Sequence, residues 1–210
     1  MTKYHIFDLD GTLVDSIPNW MDVMMSLVKG AGIEIPDDFI DVITPLGYYD
    51  TGKYIRDIGV NLTVEEILEK IDNHMVYAYG HVIELKPYVS EYIKKLKADG
   101  CKLYVLTASP HSMTDTVLRR WGIFDEFECV WTSDDLGYSK SDERIYHRVA
   151  EIIGVTPSDI TFYDDNYTAI KTATSTGVHT VAMFDESSSF SREEFESVAE
   201  GYAESFKELV

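Results

Sequence analysis

The sequence predicts an α/β fold: a parallel sheet with helices on its faces and an all-helical insertion after the first strand. Three observations lead there. Short, near-continuous apolar runs recur along the chain, as in strands buried on both faces of a parallel sheet. Amphipathic helical segments separate them, which implies right-handed βαβ crossovers. Residues 15–83, in contrast, carry helical periodicity and no convincing strand.

The first strand is the apolar run Tyr4, Ile6, Phe7 and Leu9, and it leads directly into Asp8, Asp10 and the turn residue Gly11. Ligand crevices in open α/β sheets lie at the carboxyl ends of the strands, so both acids would sit at the crevice floor. An ionised carboxylate held there is costly unless it is paired, hydrogen-bonded or bound to metal. A divalent cation would relieve two neighbouring acids, and magnesium, a hard ion that prefers oxygen ligands, suits them. Capping of a turn or helix by the same aspartates is the alternative reading.

In the insertion, Trp20, Val23, Met24, Leu27 and Val28 recur at helical spacing, and Gly30 and Gly32 stop that helix. Pro45-Leu46-Gly47-Tyr48-Tyr49-Asp50 reads as a turn. A capping box of Thr63 with Glu66 then opens a helix carrying Ile67, Leu68, Ile71, Met75, Val76 and Tyr79. Residues 82–87 return the chain to the core. There Val89, Tyr92, Ile93 and Leu96 form a helix ended by Gly100, and residues 101–107 form the second strand. A helix with Met113, Val117, Leu118 and Trp121 follows, then a third strand over 127–132, a loop over 133–137, and a helix with Ile145, Val149, Ile152 and Ile153. The fourth strand, residues 160–163, also runs into two acids, Asp164 and Asp165. The fifth spans 179–184, and the acidic, Ser-rich tail is expected to pack a last helix or two against the core.

The chain has 210 residues, enough for one sizeable core or a core with a smaller inserted domain. Its net charge of −19 argues against nucleic acid or an anionic membrane as partner, because both draw on dense positive surface. Cys101 and Cys129 lie in apolar runs with no zinc-like spacing and read as reduced core residues. There is no signal-like N-terminus and no apolar span long enough for a membrane, so a cytoplasmic location is expected. No G-x-G-x-x-G follows the first strand, which counts against a dinucleotide-binding oxidoreductase.

The stretch Phe7-Asp8-Leu9-Asp10-Gly11-Thr12-Leu13-Val14-Asp15-Ser16 resembles the first signature of the haloacid dehalogenase-like hydrolase superfamily. The resemblance extends over nearly the whole chain. It implies a Rossmann-like three-layer core, residues 1–14 and 84–210, with a helical cap, residues 15–83, as in the phosphoglycolate phosphatase and β-phosphoglucomutase-like subfamily. It further implies that Asp8 attacks phosphorus and Asp10 is the general acid/base. An acid at position 10 favours phosphate over halide chemistry, since the dehalogenases lack one there. Thr107 resembles the second motif, a hydroxyl that hydrogen-bonds the transferring phosphoryl group, with the backbone N–H groups of Ala108 and Ser109 beside it. Alone, Thr107 would read as a helix cap or strand former.

Lys140 resembles the third motif by its position ahead of Ile145-Tyr146, although Ser141-Asp142-Glu143 stands where many relatives carry prolines. Without the resemblance it reads as a solvated loop lysine. Asp165 matches the family's most regular metal acid and Asp164 the residue before it. The implied magnesium site takes Asp8, Asp165, Asp164 and the backbone carbonyl of Asp10. Asn19, Trp20, Tyr48, Tyr49, Lys53 and Arg56 are candidates to line a cap over the site. The implied activity is hydrolysis of a small phosphorylated metabolite, such as phosphoglycolate, a sugar phosphate or a nucleoside monophosphate, by a monomer or weak homodimer. A sugar-phosphate mutase and a non-catalytic interaction protein on the same fold are the alternatives; Trp20 stands near where some mutases carry a histidine.

Overall fold

The computed structural model describes residues 2–43, 46 and 48–210. The chain forms two compact units, one of Met1–Asp15 with Glu84–Val210 and one of Ser16–Ile83. Among the described residues no helix is long and apolar enough to cross a membrane.

The smaller unit contains α1 (Ile17–Gly30), α2 (Phe39–Ile43), α3 (Tyr48–Asp57) and α4 (Val64–His81). Its core is the apolar stripe of α4, Ile67, Ile71, Met75 and Tyr79, packed with Val23, Val28 and Ile55. The α4 capping box is formed: Glu66 N donates to Thr63 Oγ1 (3.2 Å) and Thr63 N to Glu66 Oε2 (2.8 Å). Gly52 lets α3 approach α4 closely, since a Cβ there would lie 2.9 Å from Leu68 Cδ2. The expected turn at 45–50 falls partly on Pro45 and Gly47, which lie outside the described residues. Tyr48, Tyr49 and Asp50 are instead the first turn of α3, where the negative charge of Asp50 favours the exposed N–H groups.

The larger unit runs β1 (Tyr4–Phe7), α5 (Val89–Ala98), β2 (Lys102–Thr107), α6 (His111–Arg120), β3 (Cys129–Thr132), α7 (Ser133–Leu136) and α8 (Glu143–Ile153). It continues with β4 (Ile160–Asp164), α9 (Tyr167–Ser175), β5 (His179–Met183), α10 (Arg192–Glu196) and β6 (Gly201–Ala203). Among the described residues six strands pair in parallel, in the order β3-β2-β1-β4-β5-β6. On one face Ile6, Leu106 and Phe162 pack against Ile145, Tyr146 and Val149 of α8 and Ile170 and Ala173 of α9. On the other, Phe7 stacks on Tyr163 at 4.5 Å and meets Tyr92 of α5 and Phe206. Each buried Ile, Leu, Val and Phe among them contributes about 1.5–3 kcal/mol of hydrophobic free energy. The polar atoms on this face satisfy one another in a chain from His5 Nδ1 to Tyr163 OH (2.9 Å) to Tyr92 OH (2.7 Å).

Besides the opening of α3, the structure departs from the sequence reading in three places. The tail adds a sixth strand, β6, beside its short helix α10. Residues 133–136, expected as loop, form the single-turn α7, capped by Thr132 and Asp135. Cys129 is only half-buried, while Cys101 is buried; both are free thiols.

β1 lies between β2 and β4, and the chain builds β2 and β3 on one side before crossing to β4, β5 and β6 on the other. The topological switch therefore falls between β1 and β4, and the carboxyl ends of those two strands open the crevice. The entry to and exit from the inserted unit are stitched together beside it. Asp15 N donates to Glu84 O (2.9 Å), Lys86 N to Leu13 O (2.9 Å), and Val14 and Leu85 form an antiparallel bridge.

Candidate active site

Asp8 follows β1 directly, and its N–H donates to the Tyr163 carbonyl of β4 (2.9 Å). That ladder bond fixes Asp8 beside Asp164, the last residue of β4. Asp8, Asp164 and Asp165 each offer a carboxylate oxygen, and the three oxygens lie within 4.8 Å of one another. Lys140 bridges two of them, with Nζ 2.7 Å from Asp8 Oδ1 and 2.7 Å from Asp164 Oδ2. Its loop is anchored by the Tyr146 hydroxyl, which shares its proton between the carbonyls of Lys140 (2.8 Å) and Ala169 (3.0 Å). The other Asp164 oxygen, Oδ1, accepts from Asn166 N (2.7 Å), the residue that caps α9 through Ala169 N.

Burial and the neighbouring carboxylates push the Asp8 carboxyl well above its usual range, against the pull of Lys140. Asp165 is pushed up to about 7, first by burial and then by Asp164, with Lys140 and the Thr12 hydrogen bond opposing. Burial alone would depress the Lys140 ammonium, but Asp164 and Asp8 outweigh it and hold it above its usual range. These directions share one cause. Three acids stand around one base in a water-poor pocket, so the cluster attracts a further positive charge.

The remaining expected residues surround this cluster. Gly11 turns the chain with φ at +77°, and a Cβ there would lie 2.5 Å from Asp165 Oδ2. Thr12 Oγ1 donates to Asp165 Oδ1 (2.9 Å). Gly11→Ala is therefore expected to cost about 1–3 kcal/mol in urea unfolding, from a left-handed alanine and a displaced Asp165. A variant with unchanged midpoint would contradict this account. Asp10 is half-buried, its side chain is not part of the three-carboxylate group, and its Oδ2 accepts from Ser109 Oγ at 2.5 Å. Thr107 ends β2 fully buried, with Oγ1 accepting from Ser109 N (3.0 Å), while Ala108 is exposed at the rim.

One expectation needs restating. The Ser109 N–H is engaged by Thr107, because a threonine hydroxyl readily closes a turn on the N–H two residues ahead. Ser109 instead brings its hydroxyl to Asp10. In the smaller unit, four of the expected lining residues have partners close by. Trp20 Nε1 donates to Tyr79 OH, Tyr48 OH to Asp72 and to the Leu68 carbonyl, Lys53 pairs with Asp50, and Arg56 with Asp57. Sequence reasoning did not single out Thr12, Tyr146 or Asn166. Of these only Thr12, inside Asp10-Gly11-Thr12, carried a local signal.

A sequence model of the haloacid dehalogenase-like hydrolases matches residues 2–177. The chain belongs to that family. This hydrolase is 30% identical over 172 residues to hexitol phosphatase B of Escherichia coli, covering 77% of the chain and 74% of the relative. It is 27% identical over 188 residues to a phosphoglycolate phosphatase of Psychrobacter arcticus, covering 85% and 81%. Among solved structures it superposes on a predicted phosphoglycolate phosphatase from Haemophilus somnus with a TM-score of 0.84 and 20% identity, covering 99% and 96% of the two chains. That last likeness carries the fold: a Rossmann-like parallel sheet between helical layers.

Proposed function

We propose that this phosphatase hydrolyses a small-molecule phosphate monoester through an aspartyl-phosphate on Asp8, with magnesium as cofactor. The observation that carries the reading is the gathering of Asp8, Asp164 and Asp165 around Lys140, with Asp10 held beside the cluster by another partner. The donor set fits the ion. It offers carboxylate oxygens only, and three carboxylates against one ammonium leave two formal negative charges for a divalent cation to offset. Gly11 fits it too, because the space beside Asp165 admits no Cβ. Asp8, Asp164, Asp165 and the backbone carbonyl of Asp10 would hold magnesium. Once bound, it offsets charge on the phosphoryl oxygens.

In the first half-reaction an Asp8 carboxylate oxygen bonds to phosphorus as the phosphorus–leaving-oxygen bond breaks, and Asp10 gives its proton to the departing oxygen. In the second, Asp10 takes a proton from water, the water oxygen bonds to phosphorus, and the Asp8–phosphorus bond breaks to free inorganic phosphate. Lys140 orients the Asp8 nucleophile and offsets its charge. The Thr107 hydroxyl and the Ala108 N–H complete the phosphate cradle. The relatives' names point to alkyl phosphates of small polar metabolites as the substrate class, and the two free thiols suit a reducing cytoplasm.

The test is phosphate release from p-nitrophenyl phosphate, 2-phosphoglycolate, hexitol and hexose phosphates and nucleoside monophosphates. Release is expected with magnesium, to vanish in EDTA and to return on magnesium addition. A panel left intact with magnesium present would overturn the reading.

A further inference from the structure

Ser109 is fixed on every side of its backbone. Its N–H donates to Thr107 Oγ1 (3.0 Å), its carbonyl accepts from Thr114 Oγ1 (3.2 Å), and Pro110 follows, which restricts the backbone of the residue before it. The residue is 8% exposed. From this base the hydroxyl reaches Asp10 Oδ2 at 2.5 Å, the length of a hydroxyl–carboxylate bond. The partners lie 99 positions apart, one on the turn after β1 and the other on the loop after β2. The contact therefore ties two strand ends of the crevice through the side chain of the proposed acid/base. An aspartate has two side-chain torsions to fix, and a proton donor that wanders from its line to the leaving oxygen loses rate steeply.

We infer that Ser109 is a positioning residue for the reaction: its hydroxyl holds the Asp10 carboxyl in the orientation from which it exchanges a proton with the leaving oxygen and then with water. The inference rests on the acid/base role proposed above for Asp10. Ser109 needs no contact with substrate to do this. Its hydroxyl proton stays on Ser109, and only the Asp10 proton moves.

The test compares kcat/KM for p-nitrophenyl phosphate and phenyl phosphate with magnesium present. This constant covers events up to the first phosphoryl transfer. p-Nitrophenolate departs without a proton, whereas phenolate, a much stronger base, departs well only when protonated. Ser109→Ala is expected to lower kcat/KM about tenfold for phenyl phosphate and less than about twofold for p-nitrophenyl phosphate. Ser109→Thr, which retains a hydroxyl, should recover most of the loss. In an Asp10→Asn background, Ser109→Ala should change neither constant further. Equal losses on both substrates, or a loss that persists in the Asp10→Asn background, would overturn the inference. Failure of Asp10→Asn itself to separate the two substrates would instead refute the acid role of Asp10. Ser109→Gly, read the same way, serves if the alanine variant is insoluble.

Discussion

Asp8→Asn is expected to lower magnesium-dependent phosphate release by about a thousandfold or more, since the amide retains the shape of the carboxylate and loses its nucleophilic charge. The same change removes one of three acids from a pocket where burial and its neighbours already disfavour ionised Asp8. Lys140 keeps its 2.7 Å contact with Asp164. The variant should therefore unfold at the same urea concentration as wild type in EDTA, or a higher one. Activity lost without stability is what separates a nucleophile from a structural acid. Turnover close to wild type would eliminate the covalent route, and a large fall in stability would mean that Asp8 is there to anchor Lys140.

Lys140→Met should show the opposite pattern. Lys140 is the cation bonded to both Asp8 and Asp164, and its side chain is 12% exposed. Removing one partner from a buried ionic group costs about 3–5 kcal/mol, because the charges left behind are neither solvated nor paired. That loss is expected in urea unfolding at pH 8 with EDTA. Magnesium should return part of it, since an ion that binds only the folded state stabilises it and supplies the missing charge. Activity should fall by about two orders of magnitude or more even with the ion present, as Asp8 loses its orienting contact. A variant as stable as wild type in EDTA would show that the carboxylates shed their charge without help.

The parts of the fold that were legible in the sequence are those with strong, repeated patterns. β1, β2 and β4 are buried on both faces and so read as near-continuous apolar runs, and α4 announced itself with a capping box and a long apolar stripe. β6 was hidden because three residues, Gly201-Tyr202-Ala203, at the sheet edge carry too little apolar signal to distinguish a strand from a loop. The opening of α3 was obscured by nearby proline and glycine, which are strong turn signals in any context. For the candidate site, the positions of Asp8, Asp10, Thr107, Asp164 and Asp165 followed from strand ends, which a periodicity reading can place. Lys140 lies on a loop, so only the family resemblance located it. The Ser109–Asp10 and Thr12–Asp165 bonds join residues far apart in sequence, and the direction of a hydroxyl leaves no trace in spacing.

The stitched junction at residues 13–15 and 84–86 has a consequence for how the chain folds. β1 must find β2, and Tyr4 pairs with Lys102 only after the entire insertion has been synthesised. Closing so long a loop as random coil is slow, since contact order sets the folding rate of small domains. The inserted helices pack on neighbours close in sequence, so they can condense early. Once the two backbone hydrogen bonds at the junction form, the stretch that β1 must still search across shrinks to the few residues of the neck and α5. The neck thus acts as a kinetic shortcut, turning the distant pairing of β1 with β2 into a nearly local one.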